Sequence, residues 1–450
     1  MKSPENNSPR LILVDDNIRN TAGHYFELAT LMLAGAQHLG YQGVMAPNRD
    51  FDQLGAVDPT WQLVPTFGTR RLVDWSLGVD GKSKTRRDIK AKPIGGSKLQ
   101  NTWHQITDRA SRPARRPTAM QQQWSSDLVN LLTRLKPTSS DVLLVNTGDD
   151  FAMLALAAAM READCPPLRI DIIFHFAIYA ANQPDNQSRM KHFGRQVNAC
   201  LKLLHPHQIH VHATTDSLAK QIRKAEVKQA VTTIPYPTRS CAIRNSEGQP
   251  IKAVLAGLPR REKGRDTILD LLTSLETALL KSNRFRVSMH MPQRGWQAMV
   301  PPSLHRAFQK ATQGKNNGPL EVMTANLTTD EYHHWLDTAD VGLFLYKPER
   351  YVARCSGVLL EMMARGVPVI VPDRCWLADQ VRAAGGHRSI GLIYQDPAEI
   401  PALLEQFAKR RDEITQRART HANIIATRHK ATNTLRVMGL AKFIQARQVA

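Results

Sequence analysis

The chain has 450 residues, 42% of them hydrophobic and 22% charged, an ordinary globular composition with length for two or three domains. That excludes a collagen, a disordered chain and a disulfide-stapled miniprotein. Lys and Arg number 60 against 40 Asp and Glu, a formal net charge of +20, and such an excess points to an anionic partner: a nucleic acid, an anionic membrane surface or a phosphate-bearing ligand.

The chain opens on polar residues, and the apolar run 11–14 stops at Asp15 and Asp16, too short for a signal-peptide core. The longest apolar run, 151–160, falls short of the ~18 residues a membrane span requires. The five cysteines form no C-x-x-C pair, so neither a zinc site nor a disulfide framework is expected. The expected location is the cytoplasm, with the positive charge suited to peripheral contact at the inner face of the membrane.

Along the chain, strand-type runs at 11–14, 43–46, 61–67, 142–146, 170–176, 209–213 and 230–234 alternate with helical patterns at 24–39, 121–135, 151–162 and 187–204. Gly40 is placed to close the first helix. The alternation resumes at 253–256, 285–291, 320–323, 341–345, 367–371 and 390–393, with a helix over 268–280 and a basic helical tail over 401–449. Repeated β–α alternation implies parallel sheets covered by helices. Pro235-Tyr236-Pro237 and the polar run 238–250 read as a linker. The expected fold is α/β with two doubly wound Rossmann-like domains. The first spans 1–237, with 70–116 inserted in it, and the second 251–425. A C-terminal helix, 426–450, would pack back across them.

The segment 70–116 departs from this pattern. It carries thirteen Lys or Arg and four Asp, with little apolar periodicity. It reads as a solvated insertion or as an arm that meets an anionic surface.

Two constellations carry chemistry. Gly257-Leu258-Pro259-Arg260-Arg261-Glu262-Lys263-Gly264 follows a strand and precedes a helix. In an α/β sheet, ligands sit beyond the carboxyl ends of the strands. Arg260, Arg261 and Lys263 there are placed for a diphosphate, since Arg forks two phosphate oxygens and Lys adds a compact charge. A solvated basic turn has the same composition. The second constellation runs from Tyr351 through Arg354, Ser356, Gly357 and Glu361 to Gly366 and Val369. Ser356-Gly357 should open a short helix whose N-terminus offers free N–H groups to a phosphate. Glu361, one turn in, suits a bidentate grip on a diol such as a ribose.

At these residues the sequence resembles the C-terminal half of GT-B glycosyltransferases, most closely glycosyltransferase family four and its bacterial relatives. Those share a G-x-x-R-x-E-K-G turn, here Gly257 to Gly264, and an S-G-x-x-L-E-x-x-A-x-G-x-P-V stretch, here Ser356 to Val369. The run from Leu327 to Tyr332, then Asp340-Val341 and Leu345-Tyr346, looks like the family's intervening segment. Gly23-His24-Tyr25 is similar to its acceptor-side loop. Ala213 to Leu218 and Ile234 to Pro237 resemble its last N-domain unit. The family often carries a second Glu eight positions before the Leu-Glu pair's acid. Here Ala353 stands there, followed by Arg354, a candidate for the diphosphate as in relatives with an R-x-S-G loop.

The resemblance implies two domains facing across a cleft, 1–237 on the acceptor side and 251–425 on the nucleotide-sugar side, and a hexosyltransferase-type enzyme. It would move a sugar from a nucleotide-diphosphate donor to a glycan, lipid-linked or small-molecule acceptor, with retention of configuration. Arg260, Lys263 and the Ser356-Gly357 helix start could hold the diphosphate without a metal, so no metal is expected, and the nucleotide sugar is a co-substrate rather than a resident cofactor. Catalytic candidates are His175, His24, Arg260 and Lys263; donor-binding candidates are Arg260, Lys263, Arg354, Ser356, Gly357 and Glu361. His24 and His175 follow strands of the first domain, and Asp15, Asp16 and Asn146 are further candidates of that kind. A GT-B-type sugar-nucleotide epimerase, or a non-catalytic sugar-nucleotide-binding protein, is the alternative. A nucleic-acid-binding protein would account for the charge, but no zinc or RNP-like motif accompanies it.

Overall fold

The computed structural model of the chain describes residues 8–21, 24–69, 118–179, 186–239, 241–243, 250–314, 318–324, 327–385 and 390–449. The basic segment 70–116 and Gly23 lie outside the described residues. Contacts divide the chain into two units, Met1–Pro237 with Ala431–Ala450, and Thr238–Lys430.

The sheet of the first unit is built from β1 (Arg10–Val14), β2 (Gln42–Ala46), β3 (Gln62–Leu63), β4 (Val142–Gly148), β5 (Arg169–Phe174), β6 (Gln208–Ala213) and β7 (Val231–Thr233). Their order is β3-β2-β1-β4-β5-β6-β7, with every pairing parallel. β1, β4 and β5 are close to continuous apolar runs because helices cover both faces of such a sheet. The helix His24–Gln37 buries Phe26, Leu28, Met32, Leu33 and Ala36 at helical spacing. The amides of Gly40 and Tyr41 then close it onto Gln37 and Ala36.

The second sheet contains β8 (Ile251–Leu255), β9 (Phe285–His290), β10 (Leu320–Met323), β11 (Val341–Leu343), β12 (Val369–Pro372) and β13 (Gly391–Tyr394). Its order is β10-β9-β8-β11-β12-β13, again parallel throughout. Among the described residues no helix is long and apolar enough to cross a membrane.

Several strand bounds differ from those the sequence pattern gives. The apolar run 61–67 shrinks to β3 plus a single bridge from Asn48 to Phe67. Pro65 has no N–H for the ladder, and the amides of Thr66 and Phe67 both turn to the Pro47 carbonyl. The run 170–176 starts one residue earlier, at Arg169, and stops at Phe174. The run 367–371 begins only at Val369, because the Val367 amide closes the preceding helix onto Met362 and Pro368 has no amide to offer.

The C-terminal return is held by buried charge. The helices Ala431–Val437 and Leu440–Val449 belong to the first unit, while the preceding helix, Arg411–Arg428, belongs to the second and runs through residue 426. Arg169 forks Asp171 at 2.8 and 3.1 Å, and its outer nitrogens donate to the carbonyls of Met438 (2.5 Å) and Gly439 (3.3 Å). His212 Nε2 donates to the same carboxylate at 2.7 Å. Arg169, Asp171 and His212 are all buried. The Tyr41 hydroxyl donates to the Leu440 carbonyl at 2.9 Å.

Burial alone would raise the Asp171 pKa; hydrogen bonds from His212 and Arg169, with their charge, outweigh it and hold the carboxyl below its ordinary 3.8. Its stabilising contribution is therefore present above about 3.8 and is lost as pH falls through the lower folded value. Asp171→Ala, which strands the Arg169 charge, is expected to cost about 3–5 kcal/mol. Urea unfolding of the full chain at neutral pH, followed by fluorescence, measures the loss.

Candidate active site

In the second unit the strand order reverses between β8 and β11, and the loops that follow these two strands part there. The loop after β8 makes one tight turn over Arg261–Lys263. Gly264 ends it at φ +75°, and a side chain at this position would collide with the Leu345 carbonyl. Glycine lets the two loops touch backbone to backbone. The Lys347 amide donates to the Glu262 carbonyl at 3.0 Å and seals the contact.

This contact carries the Lys263 ammonium to the switch point. It lies 5.4 Å from the centre of the Tyr346 ring, and against Gly257, where an added Cβ would stand 2.8 Å from Nζ. The Tyr346 and Tyr351 rings are 4.5 Å apart. The Arg354 guanidinium sits 5.3 Å from the Tyr351 ring centre. Two cations are thus braced by an aromatic pair. Burial pushes the Lys263 pKa down from 10.5, and nearby Arg260 and Arg354 push the same way, against the opposing influence of Tyr351 and Glu262. Burial also pushes both phenols up to about 12, so the aromatic pair is neutral at physiological pH. A hollow beside Lys263 is lined by Gly257, His290 and Tyr346 over an apolar floor of Met289 and Leu343.

Ser356 caps the helix Gly357–Ala364, its Oγ accepting the Leu359 amide at 3.3 Å. The Ser356 side chain also faces the Tyr346 hydroxyl. Glu361 is buried on this helix, near enough for its charge to act on Tyr346. The helix is anchored by buried Arg365, which donates to the Glu361 carbonyl at 3.1 Å, His333 Nδ1 at 2.8 Å and Asp337 at 2.6 Å. Of the donor-side candidates, the structure gathers Lys263, Arg354, Ser356 and Glu361 around Tyr346. Arg260 is different: its side chain is exposed and lies 4.0 Å from Glu262.

The first unit has its own reversal, between β1 and β4. Asp15, at the end of β1, is wholly buried. Its carboxylate accepts from the Asn17 amide (3.0 Å) and side chain (3.1 Å), from Asn146 Nδ2 (3.0 Å) and from Thr147 Oγ1 (2.8 Å). Burial and the Asp16 charge raise its pKa, against these hydrogen bonds, which lower it. His175, at the end of β5, is buried, and its Nε2 donates to the Asn146 carbonyl at 2.7 Å. Tyr236 meets the ring edge-on at 5.9 Å. His24 is set differently, exposed at the start of its helix with its ring 4.0 Å from that of Tyr25.

Residue patterns alone give no role to Tyr351, Thr147 or His290. Two tyrosines flanking Lys-Pro-Glu-Arg just after a strand are the only trace of the aromatic brace. Nothing in the sequence marks Thr147 as a partner of Asp15.

No protein-family model matches the chain, and no curated protein matches it. Solved structures do. Anabaena Alr3699/HepE, in complex with UDP, aligns over 96% of this chain and 100% of its own, with a TM-score of 0.56 and 12% identity. A glycosyltransferase from Rickettsia africae aligns over 98% and 99%, with a TM-score of 0.58 and 10% identity. The E. coli trehalose-6-phosphate structure bound with UDP-2-fluoro glucose aligns over 97% and 99%, with a TM-score of 0.57 and 12% identity. At such identities the likeness is one of fold: each unit is Rossmann-like, and the chain as a whole has the GT-B fold.

Proposed function

We propose that the protein is a glycosyltransferase that moves a sugar from a nucleoside diphosphate to a hydroxyl-bearing acceptor. The observation that carries this reading is the braced pair of cations, Lys263 and Arg354, at the switch point of the second sheet, beside the N-terminus of the Ser356-capped helix. Breaking the glycosidic bond sends its electron pair to the diphosphate oxygen. Fixed cations and helix N–H groups stabilise that charge with little reorganisation. Arg260, exposed on the same loop as Lys263, is assigned as a third cation. Glu361 is assigned to the ribose diol.

In this reading the anomeric carbon exchanges its bond to the diphosphate oxygen for one to the acceptor oxygen, with retention. The acceptor's proton passes to the departing phosphate. Neither a metal nor a resident cofactor is assigned a step. HepE bound to UDP or UDP-glucose and the E. coli structure bound with UDP-2-fluoro glucose support a uridine nucleotide as the first donor to try. His175 and His24 are assigned to the acceptor side, and the acceptor is a glycan, a lipid-linked sugar or a small molecule. A screen of nucleotide sugars for transfer or slow hydrolysis tests the reading; no turnover and no binding of any of them would reject it.

Lys263→Ala and Glu361→Ala are each expected to weaken UDP binding by about 1.5–3 kcal/mol, roughly tenfold or more, as read by calorimetry. Because burial lowers the Lys263 pKa, UDP affinity should decline as pH rises toward and through a value below 10.5. Lys263→Arg, which keeps its charge, should flatten that decline. His175→Ala should reduce turnover at saturating donor while leaving UDP affinity near that of the parent protein, as steady-state kinetics beside calorimetry will tell.

A further inference from the structure

β4 changes register against β5 between Val145 and Gly148. Asn146 and Thr147 occupy that irregularity, and bulges of this kind re-aim groups beside functional sites. Both residues are buried, and both side chains are tied to Asp15. The Asn146 carbonyl in turn receives His175 Nε2. One carboxylate after β1 therefore holds the β4 irregularity, which holds the ring after β5.

We propose that Asp15 is a positioning residue for His175: it clamps the Asn146–Thr147 irregularity, whose carbonyl fixes the ring as the Nε2–H tautomer. A carbonyl can only accept, so the proton at that contact belongs to Nε2. The effect on turnover rests on the sugar-transfer reading; the tautomer does not.

The test uses the full-length protein labelled with 15N-histidine, the His175 signals being identified by their absence in His175→Gln. The parent protein should show His175 as the Nε2–H tautomer. Asp15→Asn presents a donor to groups that need an acceptor. It should shift His175 toward a mixed tautomer and lower turnover by roughly tenfold or more, with UDP affinity unchanged. If Asp15→Asn does not fold, Thr147→Val, which removes one of the clamping donors at nearly constant shape, should give a smaller change of the same kind. Unchanged His175 signals in a folded Asp15→Asn or Thr147→Val protein overturn the positioning role, whether or not sugar transfer is found. If the parent protein transfers no sugar, the tautomer signals alone decide the role of Asp15.

Discussion

In a parallel sheet every strand ends at the same edge, and this constraint governs both candidate sites. Residues far apart in the chain reach one place because the strands that precede them run side by side. Lys263 follows β8 and Tyr346 follows β11, neighbours in the sheet though not in sequence. Asp15, Asn146 and His175 are gathered the same way from β1, β4 and β5. The reversal of strand order leaves room between the loops.

The two units use this geometry differently. The second unit supports its cations on aromatic faces, which stabilise charge without neutralising it. The first unit commits its buried carboxylates to hydrogen bonds that fix other groups, as with Asp15 and with Asp171.

Much of this is legible in the sequence, because local signals produce it. Apolar runs mark most strands, and Ser356 reads as a cap because it directly precedes an apolar helical stretch. Lys263 and Arg354 stand out as cations on loops after strands. What stays hidden depends on pairing. The irregularity at Asn146–Thr147 exists only when β4 lies against β5, so the residues alone do not announce it. Pro65 shortens β3 by removing an amide from its ladder, a signal that is present but outweighed by the apolar residues around it. Arg169 gives no sign of its role because the apolar run begins after it. Its alternation with Asp171 on one face of the strand matters only once the C-terminal carbonyls arrive.

That return has a consequence for synthesis. The helix His24–Gln37 packs on Ala431–Val437, with Gly35 close against Ala431. Domains commonly fold in order as they leave the ribosome. Here the first unit to emerge is completed last, because its missing helices follow the whole of Thr238–Lys430. Until then Arg169 lacks the carbonyls of Met438 and Gly439, and the face of His24–Gln37 that receives Ala431–Val437 stays uncovered.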